Sequence, residues 1–207
     1  RILQHRNFTL SYDDESADSQ FGGFSPSVAG TPLTGVASFL RMSHFSASTQ
    51  SEPYRLYSVV QPPIGSASTE VEPNGTTATA SVSSLNYFSG ALSAATDVDV
   101  YSFNATAGDL VFVSLDGDPL RDATDFDAKL ELLNTAGVTQ LTANDITTSS
   151  STTSGAGSLT ATSPGALSEA LVWRVRTTGV HYVRVTASGT AFGDYLLSVA
   201  KNCVAGP

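Results

Sequence analysis

Glu70, Glu72 and Asn74 stand two residues apart in Glu70-Val-Glu-Pro-Asn-Gly-Thr76, and Asp97 and Asp99 repeat that spacing in Asp97-Val-Asp-Val-Tyr101. Successive side chains of an extended backbone point to opposite faces, so each set aims its oxygens in one direction. Calcium takes six to eight oxygens, from Asp, Glu, Asn and backbone carbonyls. The residue types therefore make calcium the first candidate for each stretch. The competing reading is a solvated acidic turn shaped by Pro73 and Gly75.

A second acidic group comprises Asp116-Gly-Asp118 with Asp122, Asp125 and Asp127. It lacks the Glu that an EF-hand needs at its twelfth position, and reads as a charged loop with Asp127 opening a strand. For catalysis the residues offer little. His5, His44 and His181 lie in separate segments, and neither H-E-x-x-H nor G-x-S-x-G occurs. His181 alternates with Tyr182 and is expected at a surface or a sheet edge, whereas Trp173 in Leu171-Val-Trp-Arg-Val175 is expected in the core. Paired carboxylates can cleave glycosides, but calcium or solvation explains these Asp-rich turns better. Asn7, Asn74 and Asn104 fit the N-x-S/T pattern, which in a bacterial protein is usually chance. No catalytic residue is assigned, and the expectation is a protein that is not an enzyme.

The elements that must hold these residues are strands. Stretches rich in Val, Thr, Tyr and Phe alternate with turn residues, as in Asp99–Asn104, Leu110–Leu115, Lys129–Leu133, Val138–Leu141, Ala170–Arg176, Val180–Val185 and Asp194–Val199. With a weaker stretch at Leu85–Leu92, this predicts roughly seven or eight short strands, an all-β fold, and a jelly-roll-like antiparallel β-sandwich. Ala107-Gly-Asp109 is expected to be a hairpin-type turn and Asn134-Thr-Ala-Gly137 another turn. The Ser/Thr/Gly tract between Thr147 and Pro164 reads as a long surface loop, or else as a contact or O-glycosylated surface.

Composition narrows the partners. The 207 residues carry 10 Lys+Arg against 19 Asp+Glu, a net charge of −9, so no basic stripe exists for phosphates and nucleic-acid binding is not expected. The same balance argues against anionic lipid, and no apolar run approaches the roughly 20 residues of a spanning helix. One cysteine, Cys203, excludes an internal disulfide framework and a Cys-based zinc site. The chain opens at Arg1 with neither an initiator Met nor a signal segment, which implies processing or a piece of something longer.

The two ends of the sequence match each other. Leu10-Ser-Tyr-Asp-Asp14 corresponds to Leu141-Thr-Ala-Asn-Asp145, Phe39-Leu-Arg-Met42 to Tyr182-Val-Arg-Val185, and Tyr54-Arg-Leu56 to Tyr195-Leu-Leu197. The matches run in the same order, the signature of an internal repeat. Residues 1–62 are expected to be the second half of a module, 63–67 a linker, 68–201 a complete copy, and 202–207 a tail. Half a sandwich leaves one apolar face open, so neighbouring modules or chains are expected to cover it by packing or β-complementation.

Taken in order, Glu70-Val-Glu-Pro-Asn-Gly-Thr76, Gly90-Ala-Leu92, Asp97–Phe103, Ala107-Gly-Asp109, Asp127–Leu132, Asn144-Asp145 and Gly179–Val185 resemble the bacterial pre-peptidase C-terminal domain, which is related to collagenase collagen-binding domains. The resemblance implies a non-catalytic accessory β-sandwich of a secreted or cell-surface protein. It also implies calcium ligation by the E-x-E-x-N stretch and the D-x-D pair, although Gly75 stands where the family often has Asp. Two roles follow: a structural or adhesive module that assembles with its neighbours, as in a surface filament, or the C-terminal accessory domain of a secreted protease or other hydrolase, binding polymeric substrate or aiding secretion.

Overall fold

The computed structural model describes residues 56–117, 119–120, 126–144 and 168–202 continuously, with short pieces at 2–4, 9–11, 17–19, 33, 35, 37–40 and 205–206. His5, His44, Asn7, Asp118, Asp122, Asp125, Asp145, Cys203, Tyr54 and the tract at 147–164 lie outside the described residues.

Alternation of β-branched and aromatic residues with small polar ones gives the strands. They are β1 (Ile2–Gln4), β2 (Thr9–Ser11), β3 (Ala17–Ser19), β4 (Ser38–Leu40), β5 (Leu56–Tyr57), β6 (Ser68–Thr69), β7 (Ser81–Val82) and β8 (Tyr87–Ala91). Then follow β9 (Val98–Ala105), β10 (Leu110–Asp116), β11 (Ala128–Leu133), β12 (Thr139–Ala143), β13 (Ser168–Arg174), β14 (Gly179–Ala187), β15 (Asp194–Lys201) and β16 (Ala205–Gly206). One sheet has the order β3-β13-β10-β15-β8-β6 and the other β12-β11-β14-β9-β7. From β8 to β15 every connection changes sheet except the β11–β12 hairpin, and the pairings among these eight strands are all antiparallel. That connectivity is a jelly roll, two four-stranded sheets face to face, as the alternation led one to expect.

Between the sheets the inward residues interlock. Tyr101, Phe103, Leu130, Leu132, Val183 and Val185 from one side meet Phe88, Val111, Val113, Leu115, Leu171, Trp173, Tyr195 and Leu197 from the other. Trp173 is buried there as expected, with the Arg176 guanidinium 5.1 Å from its ring centre.

Two expectations need correction. Ala107-Gly-Asp109 is not a hairpin turn, because it carries the chain from β9 in one sheet to β10 in the other. Gly108 at φ +98° and the Asp109 carboxylate, which accepts from the Thr106 N–H at 2.9 Å, make the reversal. Turn chemistry specifies a reversal but not a sheet partner; here the apolar faces of β9 and β10 oppose each other across the core. His181 is also not at a surface or an edge. It lies on β14 between β11 and β9, shares the inward face with Val183 and Val185, and is 2% exposed. Its register partner is Phe103, with ring centres 5.9 Å apart, and its Nδ1 lies 3.2 Å from the Gly179 carbonyl.

Near the amino terminus β2, β1 and β4 form a separate antiparallel sheet in that order, and β5 pairs with β16. β3 adds in parallel to β13, with Ala17 beside Ala170 and Ser19 beside Val172. Residues 64–66 of the expected linker form a single 3₁₀ turn, after which β6 joins β8 in parallel.

A buried acidic cluster at the sandwich rim

The bond from Glu70 N–H to the Ser89 carbonyl continues the β6–β8 pairing by one residue, and this delivers the Glu70 side chain to the rim of the core. Its Oε1 accepts from the Ala91 N–H at 2.6 Å, and its Oε2 from the Tyr101 hydroxyl at 2.6 Å and from Asn74 Nδ2 at 3.2 Å. The chain then folds over β9. The Asn74 carbonyl accepts from the Val100 N–H at 3.0 Å, and Glu72 Oε2 accepts from the Asn74 N–H at 2.8 Å. From β9, Asp99 points inward and its Oδ2 accepts from the Tyr195 hydroxyl at 2.5 Å.

Ligand oxygens of Glu70, Glu72 and Asp99 consequently lie within 4.8 Å of one another. At that separation like charges repel by a few kcal/mol per pair in an effective dielectric near 20. Burial pushes the Asp99 carboxyl up; the Tyr195 hydrogen bond opposes this, and the charges of Glu70, Asp97 and Glu72 add to it, leaving Asp99 at about 8. Burial and the adjacent Glu70 carboxylate likewise push the Tyr101 hydroxyl up.

Glu70, Tyr101, Tyr195 and Asp99 form a chain of three oxygen–oxygen contacts of 2.5–2.6 Å. Two hydroxyls supply only two protons for those three contacts. A third proton, carried by a carboxyl, completes the chain. Asn74 Oδ1 and Asp99 Oδ1 are buried without a hydrogen-bond partner, on residues 0% exposed. Buried oxygens left unpaired are costly, and oxygens of carboxylates and an amide are the donor set of a hard cation. These residues fit calcium.

Asp97 stands apart from this cluster. Its Oδ2 accepts from the N–H and hydroxyl of Ser93 at 2.7 and 2.6 Å, and its Oδ1 from the Val98 N–H at 2.9 Å. Burial raises its pKa, but these bonds outweigh that and hold it below the usual carboxylate value. Four of the five expected site residues thus come together, and the fifth ties the turn that leads into β9. Asp116 and Asp127, the described members of the second acidic group, join no cluster of three among the described residues. As for the sequons, Asn74 is closed to a glycan by burial while Asn104 is exposed.

Sequence spacing did not bring out Tyr101, Tyr195 or Gly90 as parts of this site. A Cβ on Gly90 would lie 2.6 Å from Cζ and the hydroxyl of Tyr195 and closer still to the Tyr101 hydroxyl. Glycine inside a strand marks such an approach, and a buried tyrosine hydroxyl calls for a partner; both signals were available at Gly90, Tyr101 and Tyr195. Beside Glu70 lies an open depression of about 270 Å³, lined in part by Ile64, Thr69, Ser89, Leu120 and Asp194.

No protein-family model and no curated protein matches the sequence. Among solved structures, the chain is similar to the pre-peptidase C-terminal domain of a Bacillus anthracis collagenase, at 16% identity and a TM-score of 0.39, over 63% of this chain and 100% of that one. It is also similar to PliG of Aeromonas hydrophila, a periplasmic inhibitor of g-type lysozyme, at 13% identity and a TM-score of 0.37, over 56% of this chain and 84% of that one.

Proposed function

We propose that the chain is a non-enzymatic extracellular module of a secreted or cell-surface bacterial protein, stabilised by calcium, with a structural or binding role among neighbouring modules. The observation that carries the calcium reading is the pair of buried, unpartnered oxygens, Asn74 Oδ1 and Asp99 Oδ1, beside the converging carboxylates of Glu70 and Glu72. The tandem reading has its own support: the order β2-β1-β4 repeats the order β12-β11-β14, and the matched segments at Leu10 and Leu141 and at Phe39 and Tyr182 fall on corresponding strands.

Calcium binding is tested by melting the chelator-treated protein with and without calcium. Extracellular sites bind at about 10⁻⁴–10⁻³ M, so about 10 mM calcium adds roughly 1.4–2.7 kcal/mol by mass action. For a chain of this size that is a rise in Tm of about 3–10 °C. Glu72→Ala, on an exposed residue, abolishes the rise. An identical melting curve with chelator and with calcium removes the metal from the reading.

A further inference from the structure

The six-stranded sheet carries a depression on its outer face, at the β6 end. On β8, Phe88 and Leu92 belong to the core and Gly90 lies against the Tyr101 and Tyr195 hydroxyls, so Ser89 and Ala91 between them face outward. Thr69 of β6 is the register partner of Ser89, and Asp194 of β15, which precedes the inward Tyr195, is the partner of Ala91. The short side chains of Thr69, Ser89 and Ala91 thus floor the depression of about 270 Å³ beside Glu70. Its walls are apolar and open to water. Ile64, which begins the 3₁₀ turn before β6, is 45% exposed, and Leu120, beyond β10, is 63% exposed.

The charge facing this space is negative. Asp194 lines it and is exposed. Glu70 adds a second carboxylate, whose oxygens already accept from the Ala91 N–H, the Tyr101 hydroxyl and the Asn74 amide. Among the described residues no lysine or arginine lines it. An anion is therefore repelled. A wholly apolar group would strip water from the Asp194 carboxylate and leave it unpaired, which is costly. A small hydrated cation gains nothing from Ile64 and Leu120. Walls and charge together suit an aliphatic stem that ends in a cation. Arginine combines the two, because its stem lies along apolar surface while its guanidinium meets a carboxylate through paired N–H bonds. We propose that this depression docks an arginine side chain of a partner protein. The proposal rests on the binding role given above only for the chain that supplies the arginine. Calcium is not part of it: the unpartnered oxygens belong to Asn74 and Asp99, and neither residue lines the depression.

The probe is Nα-acetyl-arginine amide, titrated into the isotope-labelled full chain in calcium and, separately, in chelator, with amide chemical shifts as the readout. A ligand of this size binds an open site with a dissociation constant on the order of a millimolar. The expected result is a saturable shift of the Thr69, Ser89, Ala91, Leu120 and Asp194 amides in both buffers. Nα-acetyl-citrulline amide keeps the shape without the charge, and methylguanidinium keeps the charge without the stem; each is expected to bind at least about threefold more weakly. Asp194→Asn is expected to weaken the arginine probe about threefold to fivefold, and Leu120→Ser about threefold through the lost stem contact. Both positions are exposed, and unchanged shifts of the β9 and β14 amides verify that each variant is folded. Citrulline binding equal to arginine, unaltered affinity in Asp194→Asn, shifts centred elsewhere, or no saturable shift at these amides overturns the proposal. A melting curve indifferent to calcium, found together with saturable arginine binding, removes the metal and leaves the docking site standing, so the two readings fail separately.

Discussion

At the scale of single residues the rim cluster sets the charge of a carboxylate against its burial. Asp99 is 0% exposed among other carboxylates, and its charge is tolerable only with a proton or an ion nearby. Asp99→Asn keeps the shape, still accepts from the Tyr195 hydroxyl, and offers donors to Glu70 and Glu72. In chelator the variant is therefore expected to melt at or above the unsubstituted protein, and to gain nothing from calcium. Thermal melts in the two buffers check both halves, and a large loss of stability in chelator would point instead to a network that needs the charge. Gly90 sets the other limit. Gly90→Ala drives a methyl into the Tyr101 and Tyr195 hydroxyls, and overpacking of this kind costs about 1–3 kcal/mol or more. Denaturant unfolding is expected to show that loss together with a weakened calcium response, because the same two hydroxyls position Glu70 and Asp99.

Among the elements, β11 and β14 show how the solvent side of the sandwich is held. Arg184 Nε donates to Glu131 Oε2 at 2.8 Å, Lys129 lies 3.6 Å from Glu131 Oε1, and the Thr139 hydroxyl on β12 completes the set. Burial raises the Glu131 pKa, but the hydrogen bond and charge of Arg184, with Lys129 and Thr139, outweigh it and leave it below the ordinary value. A carboxylate depressed in the folded state adds stability at pH values above its unfolded pKa, near 4.3. That contribution is lost as the pH falls through the folded value. Glu131→Gln is expected to cost about 1–2 kcal/mol at neutral pH and to flatten the acid limb of stability below about pH 4.3. Urea unfolding at a series of pH values measures this, and an acid limb of unaltered slope would mean that the pair contributes nothing. Asn134 does a different job at the β11–β12 turn, where its Oδ1 accepts from the N–H groups of Ala136 and Val138 at 2.9 and 3.0 Å and Gly137 takes φ +74°.

Across the whole molecule, β15 closes the fold, since it lies between β8 and β10 and its pairing with β8 reaches more than a hundred residues back. Contacts so distant in sequence make folding slow, and they tie both sheets into one cooperative unit. Hydrogen exchange is expected to be slowest in β9, β10, β14 and β15, which are paired on both sides, and fastest in the edge strands β6 and β7. Equal exchange across the edge and inner strands would mean that the edges are held by something beyond this fold.

Local alternation located the eight strands β8–β15 and most of their inward faces. Alternation is a local property, so Tyr101 and Phe103 could be assigned to one face and Trp173 to the core from their neighbours alone. It also marked Glu70, Glu72, Asn74 and Asp99 as oxygen donors of a shared kind. Sheet membership was decided only by the tertiary structure. Nothing near Ala107-Gly-Asp109 says that β9 and β10 part company there, because each strand's partner is chosen by apolar surface far away in sequence. His181 was misplaced for the same reason: its burial depends on β9 and β11 flanking β14. The site shares that dependence. Asp97 and Asp99 share a spacing, yet one ties a turn and the other meets Glu70 across Tyr101 and Tyr195, because only the packing of the two sheets brings residues 70, 99, 101 and 195 to one point.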